Sequence, residues 1–154
     1  MRVLAGDIGG TNTRLQLVEL APGAMRVLAA YRYDSARYPS MALVLREFLD
    51  EPDVRAQGRV AAACLALAGP VHATAAGEIV QFTNLPWAVD GAALARAFGF
   101  ERLRLINDFQ AIGYSIEALS ASDLVTLQPG APQPHGTRAV IGAGTGLGQA
   151  LVVW

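Results

Sequence analysis

The sequence predicts an α/β protein with a mixed sheet, in which an antiparallel meander is joined to parallel strands. The meander is predicted by three strand patterns within residues 3–33 that are separated only by short glycine-containing turns. Parallel strands are predicted by two nearly continuous apolar runs, at residues 59–68 and 103–106, each of which follows a helical pattern. Such runs suit strands that are buried on both faces of a sheet.

The turn between the first two strands carries one acidic residue and two adjacent glycines. Gly9 and Gly10 permit backbone angles that are closed to other residues, and they let N–H groups approach a bulky anion. Thr11 adds a hydroxyl donor, and Asp7 stands at the strand end, where a carboxylate could hold Mg²⁺ through water. The turn is therefore either an ordinary hairpin connection or a phosphate-binding hairpin that also places a metal ion.

The same order of strand, glycine-rich turn with one threonine, and strand returns near the end of the sequence. This repeat pairs Gly10 and Thr11 with Gly144 and Thr145, and two such hairpins could hold a nucleotide polyphosphate between them. A dinucleotide fingerprint is excluded because Leu147 occupies its third glycine position and a strand pattern follows instead of a helix. A P-loop is excluded because the chain contains no lysine.

The residues between the two hairpins predict further strands and helices. A third meander strand is expected over residues 25–33, and Pro39 is expected to open a helix after it. The apolar stripe of that helix is predicted to consist of Met41, Val44, Leu45, Phe48 and Leu49. A short hairpin is predicted around Gly77, and a second helix is predicted between Asp90 as its N-cap and Gly99 as its end.

Asn107 and Asp108 stand where a buried strand meets a third predicted helix. The apolar face of this helix is predicted at Phe109, Ile112, Ile116 and Leu119. The Asn-Asp pair is either an N-cap or a ligand-binding group, because ligands gather at the carboxyl ends of strands in α/β folds. A helix N-terminus also favours the negative charge of Asp108.

Composition limits the classes of function. The chain has 154 residues, of which 53% are hydrophobic and 16% charged, so it can form a core and is not predicted to be disordered. Its net charge is −1 and it has no basic cluster, which argues against nucleic acid as a primary partner. The longest apolar run, residues 60–68, is too short to cross a membrane, and the lone Cys64 fits a reducing compartment, so a cytoplasmic location is expected.

Five motifs in this sequence resemble, in order, those of bacterial glucokinases. The resemblance implies the ribonuclease H-like fold of sugar kinases and actin-like ATPases, with the beginning of a second α/β domain. Two of the motifs resemble the family's phosphate motifs, at residues 7–14 and 142–148. The other three resemble its sugar-side motifs, at residues 68–71, 83–87 and 106–109.

The resemblance implies a function and a set of site residues. It implies that ATP, with Mg²⁺, phosphorylates glucose at the 6-hydroxyl to give glucose 6-phosphate, the first step of glycolysis. Asp108 would be the base, Asp7 would orient Mg²⁺, and sugar hydroxyls would bind Asn107, Asp108 and Asn84. The residues alone would instead make Asn84 a turn former beside a core-anchoring Trp87. The phosphate-side residues implied are Asp7, Gly9, Gly10, Thr11, Asn12, Gly144, Thr145 and Gly146.

The chain departs from the family in its length. Family members are much longer, so we expect a small domain over residues 1–108 and only the beginning of a large domain over residues 109–154. The chain is therefore expected to be a fragment that is inactive alone, from an enzyme that is a homodimer at full length. The alternatives are a non-catalytic sugar- or nucleotide-binding module of the same fold and an ATPase without a sugar substrate. The presence of Asp108 argues against the first, and the sugar-side motifs argue against the second.

Overall fold

The computed structural model describes residues 1–82, 85–143 and 147–154. Contacts between Cα atoms divide the chain into a first unit, Met1–Asp108, and a second unit, Phe109–Trp154. The strands of the first unit form a five-stranded and a three-stranded sheet, and those of the second form a two-stranded sheet. Among the described residues, no helix is both long enough and apolar enough to cross a membrane.

The five-stranded sheet is mixed, as the sequence predicts. The described strands of the first unit are β1 (Arg2–Ile8), β2 (Asn12–Ala21), β3 (Ala24–Asp34), β4 (Ala62–Leu67), β5 (Val71–Thr74), β6 (Gly77–Gln81), β7 (Ala88–Asp90) and β8 (Arg102–Asn107). The larger sheet has the order β3-β2-β1-β4-β8. Its first three strands pair antiparallel, whereas β4 is parallel to both β1 and β8. The meander and the parallel strands are both confirmed.

Helix α1 (Met41–Asp50) packs its predicted apolar stripe into the main core. Four of the five predicted residues are buried, namely Met41, Val44, Leu45 and Phe48. Each such side chain contributes about 1.5–3 kcal/mol when it is fully removed from water. The helix begins after an extended Ser40, so Pro39 precedes the helix instead of opening it as predicted. A single turn of helix, α2 (Pro52–Arg55), follows.

The smaller sheet consists of β5, β6 and β7 and is followed by helix α3 (Gly91–Phe98). The predicted hairpin at Gly77 is confirmed, but β7 was not predicted because three residues are too few to show an alternating pattern. Asp90 caps α3 by accepting a hydrogen bond from the N–H of Ala93 at 2.9 Å. Gly99 ends the helix in the left-handed conformation, with φ of 71°, as predicted.

The described residues of the second unit form most of one helix, two short 3₁₀ turns and a hairpin. Helix α4 spans Asp108–Ser115, and strands β9 (Arg138–Ala143) and β10 (Leu147–Val152) pair antiparallel. The sequence predicts that the helix reaches Leu119, but a 3₁₀ turn replaces it after Ser115. The hydroxyl of Ser115 donates to the carbonyl of Ile112 at 2.7 Å, and this bond competes with the hydrogen bonds that would continue the helix.

Candidate functional site

Three parallel strands of the first unit end side by side. Ile8, the last residue of β1, is the register partner of Leu67, and Leu67 is the register partner of Asn107. Because neighbouring strands lie about 4.8 Å apart, Asn107 is about 10 Å from Ile8. This arrangement brings together the turn after β1, the loop after β4 and the junction at Asp108. We call this part of the molecule the carboxyl edge.

Ligands of open α/β sheets bind outside the carboxyl ends of the strands, so the carboxyl edge is the candidate site. Two cavities lie elsewhere in the first unit. One, of about 470 Å³, is lined by Val60 and Phe100, which precede the amino ends of β4 and β8. The other, of about 610 Å³, lies beside α3 and is lined in part by Arg104. Neither lining includes a predicted site residue that the structure describes.

Asp7 forms an ion pair at the carboxyl edge. It is the register partner of Arg14 on β2, and its Oδ2 lies 3.0 Å from Nη1 of Arg14. Both side chains are more than half exposed, at 58% and 59%, so water screens the pair and the carboxylate stays accessible. The described residues contain no group of three or more acidic, histidine or cysteine side chains able to hold a metal. A single carboxylate such as that of Asp7 suits Mg²⁺ only where phosphates and water complete the coordination of the ion.

The glycine turn between β1 and β2 is held closed by its own backbone. The N–H of Gly9 donates to the carbonyl of Asn12 at 2.9 Å. Gly9 does not adopt the left-handed backbone conformation, so the backbone freedom that glycine permits is not used at this position. Gly9 leaves room for the close approach of the Asn12 carbonyl, because a Cβ on Gly9 would lie 3.2 Å from that carbonyl oxygen. The turn can therefore present its backbone without a side chain in front of it.

The residues next to Gly9 differ in exposure. Gly10 is half-buried, and Thr11 is exposed to solvent. Asn12 is half-buried, and its Oδ1 accepts a hydrogen bond from Nε of Arg32 at 2.9 Å. That bond fixes the orientation of the Asn12 amide at the first position of β2.

Two buried hydroxyl groups support this turn, and sequence reasoning missed both. Thr13 and Ser35 are fully buried, and their hydroxyl oxygens lie 3.0 Å apart. Ser35 Oγ also donates to the carbonyl of Gly9 at 2.9 Å. No spacing rule links Ser35 to a turn 26 residues earlier in the sequence, so only the β2–β3 pairing reveals the contact.

The strand–helix junction supplies the other predicted residues of the carboxyl edge. Asn107 is the last residue of β8, and its Nδ2 donates to the carbonyl of Gly69 at 3.1 Å. This bond ties the β8 junction to the loop after β4. Asp108 is half-buried in the first turn of α4, where the helix dipole favours a negative charge.

The loop that carries Asn84 is closed by two aromatic residues. Trp87 is 1% exposed, its Nε1 donates to the carbonyl of Tyr38 at 2.9 Å, and its ring packs edge-on against Phe82. The N–H of Phe82 donates to the carbonyl of Trp87 at 3.1 Å. Trp87 is therefore anchored in the core, as the residues alone predict. Asn84 itself lies outside the described residues.

The three central residues of the second hairpin also lie outside the described residues. They are Gly144, Thr145 and Gly146, which connect β9 and β10 in the sequence.

The fold and the carboxyl edge together define a domain of the actin-like ATPase and sugar-kinase class. A crystal structure of a glucokinase from an Antarctic psychrotroph superposes with a TM-score of 0.83 at 32% identity, over 99% of this chain and 46% of that one. A sequence model described as Glucokinase matches residues 4–154. The chain belongs to the glucokinase family.

Individual relatives agree with this assignment. The glucokinase of Nostoc punctiforme is 40% identical over 152 residues, which cover 98% of this chain and 42% of that protein. A ROK family glucokinase from Streptomyces griseus, solved with glucose and AMPPNP, superposes with a TM-score of 0.65, over 99% of this chain and 45% of that one. At 20% identity, that likeness shows the fold alone. The chain spans less than half the length of each of these relatives.

Proposed function

We propose that this chain supplies one side of the active site of an enzyme that transfers the γ-phosphoryl group of ATP to the 6-hydroxyl of glucose. The observation that carries the proposal is the register of Ile8, Leu67 and Asn107. Through it, a glycine turn suited to phosphate and a carboxylate suited to proton transfer lie at the same sheet edge. Phosphoryl transfer asks little covalent chemistry of the protein, so positioning and charge stabilisation at such an edge supply most of the catalysis.

On the sugar side, Asp108 accepts the proton of the 6-hydroxyl as this oxygen attacks the γ-phosphate. Its place directly after the last residue of β8 supports this role, because ligands of α/β sheets bind at the carboxyl ends of the strands. Asn107 binds a sugar hydroxyl, with its amide oriented by the bond to Gly69. Asn84 is proposed as a further sugar ligand from the motif alone.

On the nucleotide side, the β1–β2 turn binds phosphate oxygens. The backbone N–H of Gly10 and the exposed hydroxyl of Thr11 are the proposed donors, with Asn12 at the end of the turn. Gly9 belongs to the proposed site through the shape of the turn, because its own N–H already donates to the Asn12 carbonyl. The chain has no lysine to bind a phosphate as a point charge, and the donors proposed in this turn are a backbone group and a hydroxyl. Gly144, Thr145 and Gly146 are proposed as the second phosphate hairpin on sequence grounds.

Magnesium fits the carboxyl edge through one residue. Asp7 would hold the ion through water, and its accessible, singly paired carboxylate is compatible with a mostly hydrated Mg²⁺. When bound, Mg²⁺ neutralises charge on the phosphate oxygens. Arg14, opposite Asp7 on β2, donates to one oxygen of the Asp7 carboxylate at 3.0 Å.

The rest of the site belongs to residues beyond those in this sequence. The chain spans 42% of the Nostoc punctiforme glucokinase, so we propose that residues 109–154 begin a larger domain. We also propose that the full-length enzyme is a cytoplasmic homodimer and that the chain alone is inactive.

The function is tested by assaying glucose 6-phosphate formation in a polypeptide of full family length that contains this chain. ADP is measured with and without glucose in the presence of ATP and Mg²⁺. The proposal expects ADP release that depends on glucose and matches sugar phosphate one to one. ADP release without glucose would identify an ATPase. Binding of glucose and AMPPNP without turnover would identify a non-catalytic module. Such a module is the second candidate function, because the chain spans 42% of the Nostoc punctiforme glucokinase.

A further inference from the structure

Ser35 makes three hydrogen bonds to the β1–β2 hairpin. Its N–H donates to the carbonyl of Thr11 at 3.0 Å, its Oγ donates to the carbonyl of Gly9 at 2.9 Å, and its Oγ lies 3.0 Å from Oγ1 of Thr13. Its exposed fraction is 0%. A fully buried polar side chain is thus directed at the segment proposed to bind phosphate.

The direction of these bonds follows from the chemistry of the groups. A carbonyl oxygen only accepts, so the single hydroxyl proton of Ser35 goes to Gly9. Ser35 must then accept the proton of Thr13, although the distance alone allows either direction. The three groups form a one-way relay from Thr13 through Ser35 to the Gly9 carbonyl.

The surrounding backbone fixes the position of Ser35. It begins the 3₁₀ turn Ser35–Arg37, in which the Asp34 side chain accepts from the N–H of Ala36 at 3.1 Å. The carbonyl of Ser35 accepts from the N–H of Tyr38 at 3.2 Å. Its bond to Thr11 extends the β2–β3 pairing by one step beyond the Asn12–Asp34 pair. Ser35 is therefore held on a rigid element, as a residue that orients another group must be.

The Gly9 carbonyl determines where the next N–H group points. A trans peptide is planar, so its C=O and N–H point in opposite directions. The bond from Ser35 turns the Gly9 carbonyl toward the buried interior, and the N–H of Gly10 must then point away from it. We propose that Ser35 is a positioning residue that locks the Gly9–Gly10 peptide so that the Gly10 N–H faces the nucleotide phosphates. The identity of that ligand rests on the proposed function, whereas the locking of the peptide does not.

The first arm of the test measures the peptide itself. A polypeptide of full family length that contains this chain is labelled with ¹⁵N-glycine, and the backbone order parameter of Gly10 is measured in the wild type, Ser35→Ala and Thr13→Val. We expect a value near about 0.85 in the wild type, a fall below about 0.6 in Ser35→Ala and an intermediate value in Thr13→Val. Thr13→Ser, which keeps the donor, should restore the wild-type value. An unchanged order parameter of Gly10 in Ser35→Ala overturns the proposal. If that variant does not fold, an unchanged order parameter of Gly10 in Thr13→Val overturns it.

The second arm titrates the same samples with AMPPNP and Mg²⁺. Ser35→Ala should raise the dissociation constant about threefold to tenfold, as expected when one hydrogen bond no longer orders a donor. The control is Asp90→Ala, which removes a cap from α3 and lowers stability without touching the turn. Its Gly10 order parameter and its dissociation constant should match the wild type.

The outcomes separate the two proposals. A wild type with a rigid Gly10 that binds no AMPPNP contradicts nucleotide binding by this chain, while the order parameters still decide the role of Ser35. A lowered order parameter of Gly10 in Ser35→Ala with an unchanged affinity for AMPPNP overturns the link between the fixed Gly9–Gly10 peptide and phosphate binding. An equal loss of affinity in Asp90→Ala also overturns it, because general loss of stability would then be the cause.

Discussion

The ring of Phe109 lies where a side chain on Gly148 would have to be. A Cβ built on Gly148 would lie 1.8 Å from a ring carbon of Phe109, and one built on its register partner Gly142 would lie 2.6 Å away. The ring therefore packs flat on the β9–β10 hairpin across a pair of glycines. Both glycines belong to the stretch that resembles a phosphate motif, so two members of that motif serve the packing of a helix residue.

We predict that Gly148→Ala destabilises the second unit. Neither the ring nor the hairpin backbone can yield the space that a methyl group needs, and overpacking of this kind costs about 1–3 kcal/mol. Gly130→Ala is the matched control, because a Cβ on Gly130 meets nothing within 4 Å. Urea unfolding of both variants, followed by the backbone amide NMR signals of β9 and β10, measures the difference. Equal midpoints for the two variants would show that Phe109 does not depend on Gly148.

Tyr33 allows a prediction of increased stability. Its side chain is buried with 7% exposure, and its hydroxyl has no hydrogen-bond partner. Removing an unsatisfied buried hydroxyl relieves a desolvation cost, so Tyr33→Phe should stabilise the chain by up to about 1 kcal/mol. Tyr31 is the matched control, because its hydroxyl donates to Asp53 at 2.8 Å and Tyr31→Phe should destabilise. Thermal unfolding of both variants gives the test, and opposite signs are expected.

The same residue predicts a loss of stability at alkaline pH. Burial, followed by the charges of Glu51 and Glu47, raises the pKa of Tyr33 well above its usual value. Because the folded state holds this proton more tightly than the unfolded state, stability falls as pH rises above about 10. Urea midpoints measured from pH 8 to 11 should fall less steeply for Tyr33→Phe than for the wild type. Parallel plots of urea midpoint against pH for the two proteins would mean that Tyr33 ionises as easily in the folded state as in the unfolded state.

Most of the first unit could be predicted from the sequence because its signals are local. The Asp90 cap, the Gly99 end and the apolar stripe of α1 each depend on residues within a few positions of one another. Ser35 could not be predicted, since its function depends on a contact across the sheet. The sequence alone also does not show which property of Gly9 the turn uses, because a glycine can be needed for space as well as for its backbone angles.

Asp108 gives the prediction that bears on catalysis. In an enzyme of full family length that contains this chain, Asp108→Asn should lower kcat about 10²- to 10⁴-fold with a much smaller change in KM. Asparagine keeps the shape and can bind sugar, but it cannot accept the proton. Asp90→Asn is the control, since Asp90 also stands at a helix start and asparagine is an equally good cap. A kcat above about half of the wild-type value in Asp108→Asn would remove Asp108 from the role of base.

The exposed face of the hairpin predicts how the chain behaves alone. On β9 and β10, alternate residues share one face, and the large apolar members of that face are more than 60% exposed. They are Ile141 at 69%, Leu147 at 64% and Leu151 at 71%. The hairpin is also a sheet of only two strands, so each of its strands has an unpaired edge. Exposed apolar surface beside an open strand edge promotes self-association.

We therefore predict that the 154-residue chain self-associates and does not phosphorylate glucose measurably. Light scattering over a range of concentrations should show oligomers. The double variant Ile141→Lys and Leu151→Lys should form fewer of them, because charged side chains on this face oppose its burial. Leu127→Lys is the control, since Leu127 is 95% exposed in a loop outside the hairpin. A coupled assay at high protein concentration should show no turnover, because one side of a site cannot exclude water from the phosphates or complete their electrostatic stabilisation. Turnover within about tenfold of the usual enzyme range of 1–10³ s⁻¹ would contradict this prediction and would mean that copies of the chain build a complete site together.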